Sequence, residues 1–309
     1  MNFLNDLGDS KPSIAVLIPC LNEAQTIAQV VKDFKNELPD SDVFVYDNGS
    51  TDDTVAIAVE AGAKVRSESM KGKGSVLRRM FADIKADVFV VVDGDNTYDA
   101  SSVDELIKTL LDNNLDMVVA CRKGAMDRRG HRFGNWIFNK LNRWLFGPGF
   151  SDIFSGYRAL SQRYVKSFPA ISNGFEIETE MSVHASQLRI PVAELDVLYK
   201  ERPEGSKSKL RTFKDGWKIL RTFISLLKDN KPLTFFGWLA FLTLSSSAAL
   251  GVPIVIEFAR NGLVERLPTA VLASALAVVG LLLIALGLIL EMVSRARTEI
   301  KRLAYLQSL

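Results

Sequence analysis

The chain has 309 residues, room for one or two domains, and its 38 basic residues nearly balance 36 acidic ones for a net charge of +2. That balance carries no electrostatic footprint for nucleic acid, and two cysteines imply neither a disulfide framework nor a metal site. Hydrophobicity is gathered towards the C-terminal end, so a polar part and a separate apolar part are expected.

Met1 to Lys11 is polar and lacks the apolar h-region of a secretory signal. Ile14 to Ile18 is an apolar run that stops at Pro19 and predicts the first strand. Pro19-Cys20-Leu21-Asn22-Glu23 follows, with Asn22 placed to cap a helix whose Ile27, Val30, Val31 and Phe34 recur at helical spacing. Val43 to Tyr46 predicts a second strand ending in Asp47-Asn48-Gly49-Ser50-Thr51-Asp52-Asp53, a polar turn into a helix over Thr54 to Glu60 that Gly62 stops. Ala63 to Arg66 predicts a third strand, followed by Met70-Lys71-Gly72-Lys73-Gly74 and a helix carrying Val76, Leu77, Met80 and Phe81. Val88 to Val92 suits a strand buried on both faces, and Met117 to Ala120 suits a fifth. Cys20 and Cys121, at strand ends, read as small buried residues. Strands and helices alternating at this spacing predict an α/β fold: a Rossmann-like, mostly parallel sheet with helices on both faces.

Open sheets of this kind bind ligands at the carboxyl ends of their strands. Three such ends, at Pro19 to Glu23, Asp47 to Asp53 and Asp93 to Asp99, bring acids and amide donors to one edge. Asp93 and Asp95 flank Gly94, whose backbone freedom lets both carboxylates converge on a hard cation, Mg²⁺ or Mn²⁺. A dinucleotide-binding dehydrogenase is disfavoured, because no G-x-G-x-x-G follows the first strand, and a P-loop is missing. The Gly72-Lys73-Gly74 loop offers backbone amides and Lys73 to a phosphate. Glu176, Glu178 and Glu180 alternate on a helix starting near Phe175 and cannot share a face, so Glu178 either orients an arginine or serves as a structural ion-pair partner. His131 and His184 have no second ligand at metal spacing and are expected to be non-catalytic.

Further on, Phe213, Trp217, Leu220, Ile224 and Leu227 face away from Lys214, Lys218 and Arg221, a pattern for a helix lying in the membrane interface; Phe133 to Phe146 is a second candidate. Pro232 to Ile256 and Leu267 to Leu290 carry no charge, and each exceeds the ~20 residues that cross a bilayer, which predicts two transmembrane helices. Lys228 and Lys231 precede the pair, and Arg295, Arg297, Lys301 and Arg302 follow it. The positive-inside bias puts the catalytic part and the C-terminus in the cytoplasm, on an inner or plasma membrane. The expected divisions are a catalytic domain over 1–211, an amphipathic juxtamembrane helix over 212–231, a transmembrane hairpin over 232–294 and a basic tail over 295–309.

With these residues in view, the chain resembles the family-2 glycosyltransferases of the GT-A fold, and within them the polyprenyl-phosphate sugar synthases, the dolichyl-phosphate mannose synthase group. Pro19 to Glu23 matches P-x-x-N-E, Asp47 to Thr54 matches D-x-x-S-x-D-x-T, Asp93 to Asp95 matches D-x-D, and Ser151 to Arg158 resembles the D-x-x-S-G-[FY]-R segment. The resemblance implies that Pro19, Asn22, Glu23, Asp47, Gly49 and Ser50 contact the nucleotide. It further implies that Asp93, Gly94 and Asp95 face its diphosphate through the metal, with Thr97 standing where a glutamine is the usual third ligand. Arg122 and Arg132 match arginines that reach an acceptor phosphate, Asn135 falls near a family serine, and Asp152 and Ser155 are implied to bind substrate. Arg202, Ser206 and Lys207 match a basic loop that closes over the donor.

The activity implied is inverting sugar transfer from a nucleotide sugar to a polyprenyl phosphate, undecaprenyl phosphate in a bacterium, at the bilayer surface; a homo-oligomer is left open. Asp93, Asp95, Arg122 and Arg202 are the expected catalytic residues. An acceptor phosphate is already ionised near neutral pH, since its second pKa is about 6, so a general base is not required. The site must instead hold two anions together and stabilise charge on the leaving diphosphate. A transferase acting on a polysaccharide or another lipid, and a non-enzymatic membrane scaffold, are the alternatives. Lys140-Leu141-Asn142-Arg143-Trp144 only approaches the Q-x-x-R-W of processive synthases.

Overall fold

The computed structural model describes residues 11–123, 150–174, 176–200, 224–225 and 227–307. The chain forms two compact units, one of Met1–Lys209 together with Lys301–Leu309 and one of Leu210–Ile300.

The first unit is built on a seven-stranded sheet in the order β3-β2-β1-β4-β6-β5-β7. Its elements run β1 (Ile14–Cys20), α1 (Ile27–Glu37), β2 (Asp42–Asp47), α2 (Thr54–Glu60), β3 (Lys64–Ser67), α3 (Lys73–Asp83) and β4 (Val88–Val91). Then follow α4 (Val103–Asp112), β5 (Met117–Lys123), β6 (Arg158–Ser161), α5 (Gln162–Ser167), α6 (Ile177–Leu188) and β7 (Val192–Leu198). Strands β1, β2, β3 and β4 are mutually parallel, and β5 runs parallel to β7. Strand β6 lies between β4 and β5 and is antiparallel to both.

That reversal matters for the site. Arg158, the first residue of β6, pairs with Val91 and Val119, so the loop before it arrives at the carboxyl ends of β4 and β5. Sheet order also reverses direction at β1, whose neighbours are β2 on one side and β4 on the other. Such a switch point opens a crevice beyond the strand ends.

Successive strand residues point to opposite faces, and the core divides accordingly. Ala15, Leu17, Phe89 and Val91 join Val76, Leu77 and Met80 of α3, Tyr164 of α5 and Met181 of α6 on one face. Val16, Ile18, Val88 and Val90 join Ile27, Val30 and Val31 of α1 and Val103 and Leu106 of α4 on the other. Cys20 and Cys121 are buried, and neither forms a disulfide among the described residues.

The second unit contains α7 (Pro232–Asn261) and most of α8 (Leu267–Gln307), two helices long and apolar enough to cross a membrane. Little of either span is buried within the chain, and Trp238, Phe241, Leu281 and Leu282 are exposed. The segment over 295–309, expected as a basic tail, is helical as far as Gln307. The last part of α8 belongs to the first unit: Tyr305 donates to Asp116 at 2.7 Å, and Arg302 donates to the carbonyl of Leu188 at 2.5 Å. The expected interfacial helices, Phe213 to Leu227 and Phe133 to Phe146, fall almost wholly outside the described residues.

Candidate active site

The ends of β1 and β2 are knitted into one rim. Asp47, the last residue of β2, is buried, and its carboxylate accepts the N–H groups of Gly49 at 2.9 Å and Ser50 at 3.1 Å. Gly49 takes a left-handed φ of 82° that a side chain would strain. Asn22 also sits left-handed, at φ 53°; its Oδ1 accepts the N–H of Thr51 at 2.8 Å, and its own N–H donates to Ser50 Oγ at 2.8 Å. Asn22 therefore does not cap α1, because its side chain is turned to the β2 loop. Thr26 holds the N-cap position, and its hydroxyl donates to the carbonyl of Gly94 at 2.6 Å. The N–H of Glu23 donates to Thr54 Oγ1 at 2.9 Å.

Asn48 was not among the residues singled out from sequence. Its amide donates to the carbonyls of Glu68 and Met70 and accepts the N–H of Gly72, tying the glycine-lysine loop to the rim. An asparagine in a polar turn carries no sequence signal for that role. Alongside, an open groove of about 430 Å³ is lined by Asp47, Gly49, Ser67, Glu68, Ser69 and Arg79.

Past β4 the two aspartates differ. Asp95 is buried, and Thr97, also buried, donates its hydroxyl to Asp95 Oδ1 at 2.6 Å. The hydroxyl that the resemblance sets at the metal thus also orients Asp95. Gly94 lets this turn lie against β1, where a Cβ would press on Cys20 Sγ at 2.8 Å.

Asp93 instead takes Lys73 Nζ at 2.5 Å, and the same ammonium meets Glu178 Oε1 at 2.5 Å. The Lys73 side chain, expected on a phosphate-binding loop, is in fact buried in the first turn of α3. Burial opposes its charge, but the carboxylates of Asp93 and Glu178 outweigh that and raise its pKa above the usual lysine value. For Glu178, burial raises the pKa and Lys73 pulls it back. Glu178 is thus an ion-pair partner, of a lysine rather than an arginine.

On the β5 side Arg122 grips Asp152 with both prongs, Nε to Oδ2 at 2.7 Å and Nη2 to Oδ1 at 2.8 Å. Burial disfavours its charge and Asp152 more than restores it, so the guanidinium stays cationic. It lies over the ring of Tyr199, 5.6 Å from the centroid. Asp152 is therefore committed to Arg122, and Ser155, buried, donates to the carbonyl of Ala120 at 2.6 Å.

Tyr98 and Tyr199 were also missed from sequence. They form a bridge between the segment after Asp95 and the end of β7, with Lys200 N–H donating to the carbonyl of Thr97 at 2.8 Å. Arg132, Asn135, Arg202, Ser206 and Lys207, expected at the site from sequence, lie outside the described residues.

Asp93, Asp95 and Thr97 present oxygen only, a donor set that fits a hard divalent cation. Among the described residues no group of three or more His, Cys, Asp or Glu converges on one point.

The description "Glycosyl transferase family 2" matches residues 15–168. Glycosyltransferase AglJ of Haloferax volcanii is 33% identical over 302 residues, covering 96% of this chain and 98% of the relative. A dolichyl-phosphate hexose transferase of the same organism is 26% identical over 221 residues, 71% of this chain and 95% of the relative. Among solved structures, glucosyl-3-phosphoglycerate synthase of Mycobacterium tuberculosis, in complex with Mn²⁺, UDP-glucose and phosphoglyceric acid, shares the fold with TM-score 0.58 at 24% identity, over 70% of this chain and 79% of that one. The match to AglJ extends from the sheet through both apolar helices, and with the family description over the strands that carry the site, it places this chain in glycosyl transferase family 2.

Proposed function

We propose that the protein transfers a sugar, with inversion, from a nucleotide sugar to a polyprenyl phosphate at the cytoplasmic face of a membrane, with Mg²⁺ or Mn²⁺ as cofactor. The observation that carries this reading is the union, in one chain, of an acidic strand-end site with a pair of exposed apolar helices: the acceptor is then a lipid that never leaves the bilayer surface. A dolichyl-phosphate hexose transferase among the relatives supports the acceptor class, and a fold neighbour crystallised with Mn²⁺ and UDP-glucose supports the donor and the ion.

In this reading the rim of Asp47, Gly49 and Ser50 and the adjoining groove receive the nucleoside. Asp93 and Asp95 hold the ion. When bound, the ion acts as a Lewis acid towards the leaving nucleoside diphosphate. Arg122, fixed in direction by Asp152 and flanked by Tyr199, offers a charge to the acceptor phosphate, whose ionised oxygen attacks without a protein base; Arg132 and Arg202 would complete that anion site. Residues on either side of the hairpin belong to one unit, and two crossings return the chain to its starting side. Lys228, Lys231, Arg295 and Arg297 support a cytoplasmic assignment of that side.

The test incubates membranes holding the full chain with radiolabelled UDP- and GDP-sugars and added polyprenyl phosphate, then extracts lipid. Label is expected in an alkali-stable, acid-labile glycolipid, lost on chelation and lost in Asp95→Ala while membrane insertion is unchanged. Near-unchanged transfer in Asp95→Ala, or label appearing only in non-lipid product, would refute it.

A further inference from the structure

The ammonium of Lys73 stands where three parts of the catalytic unit meet. It leaves the first turn of α3, reaches Asp93 beyond β4 and touches Glu178 in the first turn of α6. Its side chain is 7% exposed and that of Glu178 6%, whereas Asp93 keeps 30%. Asp93 is therefore the rim of this cluster, with lysine and glutamate behind it.

Local backbone geometry fixes that arrangement. A Cβ on Gly72 or Gly74 would overlap the backbone of Asn173 or Ser172, in the loop that leads to α6. Gly74 N–H in turn donates to the carbonyl of Asn173 at 3.0 Å. Across the cluster, Asp93 Oδ2 faces Gly156, where any Cβ would collide with it. One oxygen of Asp93 is thus held from within, while the other lies beside Gly156 in the loop before β6, where the absence of a side chain leaves it room.

Charge completes the picture. Asp93, Asp95 and Glu178 bring three negative charges and Lys73 one positive, leaving the two that a single divalent ion neutralises. We propose that Lys73 is a positioning residue: it holds Asp93 by Oδ1, counter-charged by Glu178, so that both aspartates meet the ion in one geometry, and its charge serves these carboxylates instead of the donor's diphosphate. The inference rests on the metal-dependent reading of the site given above.

Two substitutions move the cluster in opposite directions. Lys73→Met removes the competing cation and leaves the carboxylates more negative, so Mn²⁺ binds more tightly while Asp93 loses its fixed direction. Glu178→Gln gives the whole charge of Lys73 to Asp93, so Mn²⁺ binds more weakly. The experiment titrates Mn²⁺ alone into the detergent-solubilised full chain and reads free ion by electron paramagnetic resonance. Affinity is expected to rise in Lys73→Met and fall in Glu178→Gln, each by about three- to tenfold. With the nucleotide sugar that the lipid-transfer assay turns over, Lys73→Met is expected to lower kcat by roughly a hundredfold with donor KM little changed.

A fold weakened by substitution would shift both affinities the same way, and that outcome overturns the proposal. So does a donor KM raised at least tenfold with kcat retained, which would make Lys73 a phosphate ligand. If Lys73→Met does not fold, unchanged Mn²⁺ affinity in Glu178→Gln is sufficient to overturn it. Absence of saturable Mn²⁺ binding by the unsubstituted chain, with transfer surviving chelation, would overturn the metal reading and this inference together.

Discussion

At the scale of single residues, burial decides what each polar group is for. Thr97 donates to a buried carboxylate, and a hydrogen bond to a charged group contributes ~1.5–3 kcal/mol, so its loss is felt where Asp95 must point. Thr97→Val is expected to lower transfer about tenfold or more while leaving the thermal midpoint within a few degrees; steady-state kinetics and a melting curve check both. His184 shows the opposite case of a polar group kept inert. Its Nε2 lies 3.3 Å from Ser167 Oγ, its Nδ1 has no hydrogen-bond partner among the described residues, and Tyr164 and Phe168 pack on the ring. Burial, with Lys301 adding to it, pushes its pKa down to about 3 from 6.5.

The unfolded chain therefore takes up a proton as pH falls below about 6.5 that the folded chain refuses until about 3. His184 leaves stability untouched above that window and erodes it progressively within it, at up to ~1.4 kcal/mol per pH unit. Melting curves between pH 7 and 4.5 should fall less steeply for His184→Phe than for the parent chain.

At the scale of elements, β6 is the piece on which the loop carrying Asp152 depends. Arg158, wholly buried, donates through Nε to the carbonyl of Ser155 at 3.0 Å and through Nη2 to those of Ile153 at 2.9 Å and Glu178 at 3.0 Å. It binds the loop carrying Asp152 to the start of α6, which carries Glu178. Burial lowers its pKa from the ordinary arginine value, and Tyr164 and Glu178 offset part of that. Arg158→Met would remove three buried hydrogen bonds from a charged donor, and a loss of ~3 kcal/mol or more is expected in urea unfolding, with transfer falling alongside. Asp152 and Ser155 of this motif are read from sequence as substrate-binding, while the arginine that ends it is wholly buried and holds the motif's own backbone.

At the scale of the whole molecule, the catalytic unit is closed by residues from the far end of the chain. Asp116, wholly buried, accepts from Ser161 Oγ at 2.6 Å, Arg163 Nε at 2.5 Å and Tyr305 Oη at 2.7 Å, and Tyr305 belongs to the same apolar cluster as Phe89 and Met181. Tyr305→Phe keeps the ring and removes one bond to a charged acceptor. It should destabilise the full chain by ~1–3 kcal/mol, read as a lowered melting temperature, with donor KM unchanged.

Strand and helix positions were legible because they follow periodicity and turn chemistry: Thr54–Glu60 forms the helix expected there, and the strands beginning near Ile14, Val88 and Met117 are present. The alternation of β-branched runs with amphipathic helices determined an open α/β sheet, the order of strand ends determined where acids gather, and two long uncharged runs determined the apolar hairpin. These are local properties, carried by neighbours in the chain. Which partner each acid takes was decided only in three dimensions. Lys73 and Glu178 are 105 positions apart, Asp116 and Tyr305 are 189, and no local pattern encodes contacts of that range. Pairing of buried charges depends on which elements the sheet order brings together, and on the free energy of leaving any one of them unpaired in the interior.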